Sequence, residues 1–216
     1  MNITILDVEN TTTTKNNKLH LDPYERGNTL VMVGIHKLGS ENTSTYIFDH
    51  NDTTRSDDIV SNHYAVQSCL DRTDILVCHN VAYDLIWLWE SGFKYTKGVY
   101  DTMLSQYVMN KGINNSLSLS HLAEYYQCSY LKQDVLKNYF SKGYSTKEIP
   151  RQELETYLIH DVLATKEIYE KTYTVEATDE DEAVDFVHDD PDGTCSSAVT
   201  LEETDLEGSE IQQVEK

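Results

Sequence analysis

Residues 3–10 read ITILDVEN, an apolar run that ends on two carboxylates one residue apart. A run this short and this rich in β-branched residues predicts a buried strand. Side chains two apart in a strand share a face, so Ile3, Ile5, Asp7 and Glu9 point the same way. One face therefore turns from aliphatic to doubly negative. Two like charges at the end of a core strand repel each other and lose hydration unless a cation or a solvent-filled cleft compensates them. The rest of the chain decides between these.

The 216 residues, 39% of them hydrophobic, suit one domain with a real core and a further appended segment. The net charge of −20 is unevenly spread. Residues 173–216 hold 15 acids and one Lys, which leaves 22 acids against 16 bases in residues 1–172. The body is only mildly acidic. The final segment combines strong like charge with few aliphatic residues and no sustained period, so residues 173–216 are expected to be a disordered acidic tail. Cys69, Cys78, Cys128 and Cys195 form no CxxC pair, which suggests neither a zinc site nor a disulfide framework and fits reduced thiols. There is no leader-like start, and no apolar run approaches the roughly 18 residues needed to span a bilayer. The expected location is the cytoplasm, that of a host if the source is viral.

Around the first strand, TLVMVGIHKL and STYIFDH read as two more strands of an antiparallel meander, and the polar stretch between Asn10 and Asn28 as a loop. SDDIVSNHYAVQSCLDRT suits a helix capped by Ser56, with apolar positions at 59, 60, 63, 64, 66 and 70. DILVCHN is a strand, and VAYDLIWLWESG a helix stopped at Gly92. Helices near 101–110, 117–128, 132–141 and 151–172 complete an α/β domain. No glycine-rich nucleotide cradle is present.

Two further acids stand beside apolar positions. The helix after Pro150 places Leu154, Tyr157, Leu158, Asp161, Val162, Thr165 and Ile168 on one stripe, so Asp161 sits in the apolar face with Tyr157 one turn before it. His160 points about 100° away and is expected on the surface. In LVCHNVAYDLIWL, Asn80 ends a strand and Asp84 lies in the first turn of the next helix. Each signal alone has a plain explanation: a solvated strand edge for Asp7 and Glu9, a dipole-compensating acid for Asp84. Four acids at the ends of core elements, with an Asn and a Tyr at helical spacing from two of them, point jointly to a carboxylate site for two divalent cations. Two such ions would reduce the body's effective charge to about −2, so acidity does not exclude a phosphate-bearing substrate.

LDVEN, HNVAYDL and YLIHD resemble, in order and spacing, the three motifs of the DEDD 3′–5′ exonucleases of the ribonuclease H-like fold. The position that is His in the histidine subtype is Thr156, so the chain resembles the tyrosine subtype. YDTMLSQYVMNKGINNSLSLSHLAEYY is similar to the matching region of the proofreading domains of family A DNA polymerases, and DPYERGNTLVMVGIH to phage relatives. The resemblance covers residues 1–172 and implies a central mixed sheet with flanking helices. It further implies that Asp7, Glu9 and Asp161 ligate one Mg²⁺ or Mn²⁺, that Asp7 bridges to a second, and that Asp84 holds that second ion. Asn80 would support the substrate end, and Asn10, standing where the family often has Thr, would contact it. Tyr157 would orient the attacking water, since a phenol with a pKa near 10 is a poor base at neutral pH.

The implied reaction is hydrolysis of DNA from the 3′ end, single-stranded or frayed, to nucleoside 5′-monophosphates, in phage DNA replication, proofreading or repair. The enzyme would be free-standing or the separate partner of a polymerase or other replication protein, with no membrane role. The alternatives are an exoribonuclease on the same scaffold, because sugar choice depends on contacts at the 2′ position, and a non-catalytic nucleic-acid-binding module of a replisome.

Overall fold

The structure, a computed structural model, describes residues 1–11, 13–15, 18–52, 59–113, 116–130 and 135–173. Residues 1–169 form one compact unit; of the second, 170–216, the end of the last helix is described. Of the tail expected over residues 173–216, Tyr173 is the last residue of the final helix and residues 174–216 lie outside the described residues, as does the expected cap Ser56.

The strand β1 (Ile3–Asn10) is central. It pairs antiparallel with β4 (Leu30–Lys37), which pairs antiparallel with β5 (Thr43–Ile47), so the expected meander forms. Helix α1 (Ile59–Arg72) then crosses over to β6 (Ile75–Cys78), which lies parallel to β1 on its other side. Beyond it stands β7 (Gly98–Asp101), giving the sheet order β5-β4-β1-β6-β7. The sheet is mixed, as the ribonuclease H-like expectation requires. Two elements differ from the reading of the sequence. The stretch taken for a loop carries the three-residue strands β2 (Thr13–Lys15) and β3 (Lys18–His20), which pair with each other, as threonine-rich extended segments can. The strand β7 falls where the sequence assigns no element, its four residues being too few to show a period, and the helix expected near 101–110 begins directly after it.

Leu6 and Val8 of β1 pack into a cluster with Val66, Leu70, Trp87 and Leu88 from α1 and from α2 (Val81–Glu90). The first turn of α1 contributes less than expected: Ile59, Val60 and Tyr64 are exposed, and the buried face is Val66, Cys69 and Leu70. The long helix α6 (Arg151–Tyr173) crosses the opposite face of the sheet. Its stripe of Leu154, Leu158, Val162, Thr165 and Ile168 is buried as predicted. Between β7 and α6 the described residues form α3 (Thr102–Met109) and α4 (Leu119–Tyr125), both shorter than the periodicity suggested, and α5 (Val135–Phe140); Leu119, Leu122 and Ala123 of α4 pack on Ala164 and Ile168.

Candidate active site

The position of Asp161 follows from one glycine. In the β1–β4 ladder Asp7 stands opposite Gly34, and cross-strand partners share a face. A Cβ on Gly34 would lie 2.9 Å from both Leu158 Cγ and Val162 Cγ2. The missing side chain thus lets α6 approach the strand, and the acidic face of β1 meets the apolar stripe of the helix. Asp7, Glu9 and Asp161 each bring one carboxylate oxygen into a cluster whose members lie within 4.8 Å of one another. Asp161 is 3% exposed, Asp7 and Glu9 half-buried.

Asp84 reaches the same strand from the other side of the topology. The parallel pairing of β6 with β1 ends at Ile5, so beyond that residue β1 has a free edge whose N–H groups still need acceptors. Asp84 Oδ1 accepts from the Val8 N–H at 3.2 Å. Asp84 is 2% exposed, and burial first, then the charge of Asp7, pushes its carboxyl well above the usual carboxylate range. An acid this buried, beside another, is one whose charge a cation would offset, although the three acids that cluster within 4.8 Å do not include it.

Tyr157 hydrogen-bonds Asp161, one turn later on α6. Burial, followed by the charges of Asp161, Glu9 and Asp7, holds its phenol far above the ordinary value. The hydroxyl therefore keeps its proton and acts as a hydrogen-bond donor. Burial and Asp84 likewise raise the Cys78 thiol, which fits packing and not nucleophilic chemistry.

Asp7 and Asp161 line an open cleft of about 350 Å³ together with His79, Asn80, Met103 and Ser118. Leu117 and Leu119 complete its apolar wall. Asn80 is at the cleft as expected, in the left-handed conformation with φ 69° and ψ 58°. Asn10 is placed differently. A register shift between Glu9 and Asn10 interrupts the ladder there, and Asn10 is 7% exposed. Its Oδ1 accepts from the Tyr83 hydroxyl at 2.7 Å and its Nδ2 donates to the Thr11 carbonyl at 2.9 Å, so any part it has in substrate binding passes through Tyr83. His160 is not on the surface but half-buried, its ring 5.6 Å from that of Tyr130. His79, Met103 and the 117–119 segment were not singled out in the sequence, since cleft walls built from three separate segments of the chain leave no local pattern.

The donor set is all carboxylate oxygen, which suits Mg²⁺ or Mn²⁺ and not a soft metal. Clustered acids that can hold divalent cations are the kind of donor set that metal-assisted phosphodiester hydrolysis uses. Residues 21–173 match the 3′–5′ exonuclease family of the DNA polymerase A type. The chain belongs to this exonuclease family. The matched span begins after β1 and does not include Asp7 and Glu9, which the sheet places beside Asp161 of that span. Two solved structures of Brucella melitensis NrnC, one with bound Mg²⁺ and one bound to pGG, share the fold with TM-scores of 0.50 and 0.51. Each is 17% identical, with 79% of this chain and 71% of that one covered. A comparison with curated proteins finds no match. Among the described residues no helix is long and apolar enough to cross a membrane.

Proposed function

We propose that this exonuclease removes nucleoside 5′-monophosphates from the 3′ ends of single-stranded or frayed DNA, with two divalent cations as cofactors. The observation that carries the reading is the convergence of Asp7, Glu9 and Asp161 within 4.8 Å, with Tyr157 hydrogen-bonded to Asp161. Asp7, Glu9 and Asp161 would hold one ion, and Asp7 with Asp84 the other. Bound ions would supply charge neutralisation at the scissile phosphate and leaving 3′-oxygen, and the acidity that activates water.

The remaining roles belong to the chain itself. Tyr157 keeps its proton, which it donates to Asp161, so its oxygen would accept from an attacking water and orient it without deprotonating it. Asn80, at the cleft, offers an amide to the terminal nucleotide. Met103, Leu117 and Leu119 give sugar and base an apolar wall to pack against. A role in replication or proofreading beside a polymerase, in the cytoplasm, fits the family type. A second reading, RNA or short oligonucleotides as substrate, is favoured by the pGG-bound NrnC structure of the same fold.

The test is to give purified protein matched 5′-labelled and 3′-labelled DNA and RNA oligonucleotides with Mg²⁺, Mn²⁺ or a chelator, and to size the products. Stepwise shortening from the 3′ end of DNA, abolished by chelator, is expected. Faster shortening of RNA would favour the second reading, and no shortening of either would overturn both.

A further inference from the structure

Asp101 ends β7 and opens α3, an ordinary place for a capping carboxylate, and its Oδ1 accepts from the Met103 N–H at 2.9 Å and the Leu104 N–H at 3.3 Å. The same carboxylate accepts from two N–H groups far earlier in the chain, that of Asn80 at 2.9 Å through Oδ1 and that of Val81 at 3.1 Å through Oδ2. One side chain therefore serves the N-termini of two helices. A helix start needs acceptors for its first N–H groups, and an Asn at the cap position ordinarily provides one itself. Asn80 makes no such bond. Its left-handed backbone is uncommon in residues other than glycine, although Asn adopts it more readily than most.

Asp101 accepts from the N–H groups on both sides of the Asn80 α-carbon, and its neighbour reinforces the join. Thr102 is fully buried; its hydroxyl lies 2.9 Å from His79 Nδ1 and donates to the Cys78 carbonyl at 3.3 Å. Cys78, His79, Asn80 and Val81 are thus fastened one after another to the β7–α3 corner. These four residues lead into α2, whose first turn carries Asp84, and two of them are at the cleft with Met103.

We infer that Asp101 is a positioning residue of the site: by capping α2 in place of Asn80 it holds Asn80 left-handed at the cleft wall and fixes the turn from which Asp84 reaches β1. Its activity readout rests on the nuclease reading; its structural readouts do not. Asp101→Ser is the discriminating variant, because Ser can still cap α3 but is too short to span to Asn80 and Val81. A residue that merely capped α3 would be replaced at little cost.

The variant is expected to melt within a few degrees of wild type. In the metal-free protein, amide hydrogen exchange at Asn80 and Val81 should quicken at least tenfold while Met103 and Leu104 stay protected. The Mn²⁺ concentration for half-saturation, read by electron paramagnetic resonance, should rise at least tenfold, and kcat on a labelled oligonucleotide should fall at least tenfold. Wild-type exchange at Asn80 and Val81 with unchanged Mn²⁺ binding would overturn the inference. An inert wild type would count against the nuclease reading and leave the exchange and Mn²⁺ readings to decide on Asp101. If Asp101→Ser does not fold, Asp101→Asn, of the same size but with an amide NH2 in place of Oδ2, carries the reading at Val81: exchange there should quicken while Asn80, Met103 and Leu104 stay protected, and wild-type exchange at Val81 would overturn the inference.

Discussion

Gly34 stands directly opposite Asp7 in the β1–β4 ladder, and the space its side chain would fill is taken by Leu158 and Val162 of α6, both 2.9 Å from where a Cβ would sit. The carboxylate cluster depends on that close approach, since Asp161 lies between those two leucine and valine positions on the helix. Gly34→Ala is expected to destabilise the protein by about 1–3 kcal/mol through overpacking. It should also lower activity by displacing Asp161 from Asp7 and Glu9. Urea denaturation of Gly34→Ala, Val162→Ala and the double variant checks this: the double should be less destabilised than the sum of the singles, and simple additivity would show that helix and strand are not in contact there.

The buried carboxyl of Asp84 gives a pH signature with a definite sign. Burial and the charge of Asp7 raise its folded pKa well above the ordinary 3.8. An acid raised in the folded state contributes its full stability below the ordinary value and loses it as pH climbs through the raised one. Metal-free protein should therefore lose stability as pH rises above about 4. Asp84→Asn, whose amide oxygen can still accept from Val8, should flatten that slope and melt higher than wild type at pH 7 in chelator. Mg²⁺ should raise the wild-type melting temperature more than that of the variant. Thermal melts from pH 4 to 8 with chelator or Mg²⁺ measure both effects, and equal slopes in the two proteins would contradict the burial argument.

Tyr157→Phe separates orientation from metal holding. The ring still packs on α6, and the lost hydroxyl was a donor held in its protonated form by burial and three acids. kcat is expected to fall on the order of 10²-fold, the scale of a misplaced reactant, with Mn²⁺ affinity within a few-fold of wild type. Loss of metal affinity as complete as in Asp161→Ala would assign Tyr157 a structural part instead.

What could be read from the sequence divides along physical lines. Asp7 and Glu9 were legible because strand period places them on one face, and Asp161 because helical period places it in an apolar stripe; both signals are local. Gly34 carried a trace, a lone glycine inside a strand, which often marks close backbone approach. Asp101 carried a weaker one, an acid before TMLS at a helix start, but its bonds to Asn80 and Val81 join residues 20 or more apart and no spacing rule foretells them. The burial of Asn10 depends on a register shift, and that of His160 on the approach of Tyr130, both products of packing. The strand β7 is four residues long, and a run that short has no period to detect.

His50 ties the end of the meander to the start of α6. It is 4% exposed, its Nδ1 accepts from the Asp52 N–H at 3.0 Å, and its Nε2 lies 2.9 Å from the Ile149 carbonyl, which fixes the tautomer with the proton on Nε2. His50→Ala would leave both backbone groups without this partner, at about 1–3 kcal/mol for each that stays dry. The expected outcome is a stability loss of about 2 kcal/mol or more in urea, with the Mn²⁺ half-saturation of the folded fraction within threefold of wild type. A variant as stable as wild type would show that water replaces the imidazole at both positions.

The final prediction concerns residues 174–216, which carry the 15 acids and single Lys of the acidic segment. We propose that they are dispensable for folding, because a segment with so few aliphatic residues has little apolar area to contribute to a core. A tethered polyanion can still compete with nucleic acid for the guiding basic surface or dock on a basic partner, and both effects weaken as salt screens them. A chain ending at Tyr173, the last residue of α6, should melt within a few degrees of the full chain and keep its metal-dependent activity. At low salt it should bind single-stranded DNA at least as tightly, and the two chains should converge as salt is raised. A large fall in melting temperature on truncation would mean that the acidic segment contributes to the folded domain, and weaker DNA binding at low salt would mean that it assists the substrate instead of competing with it.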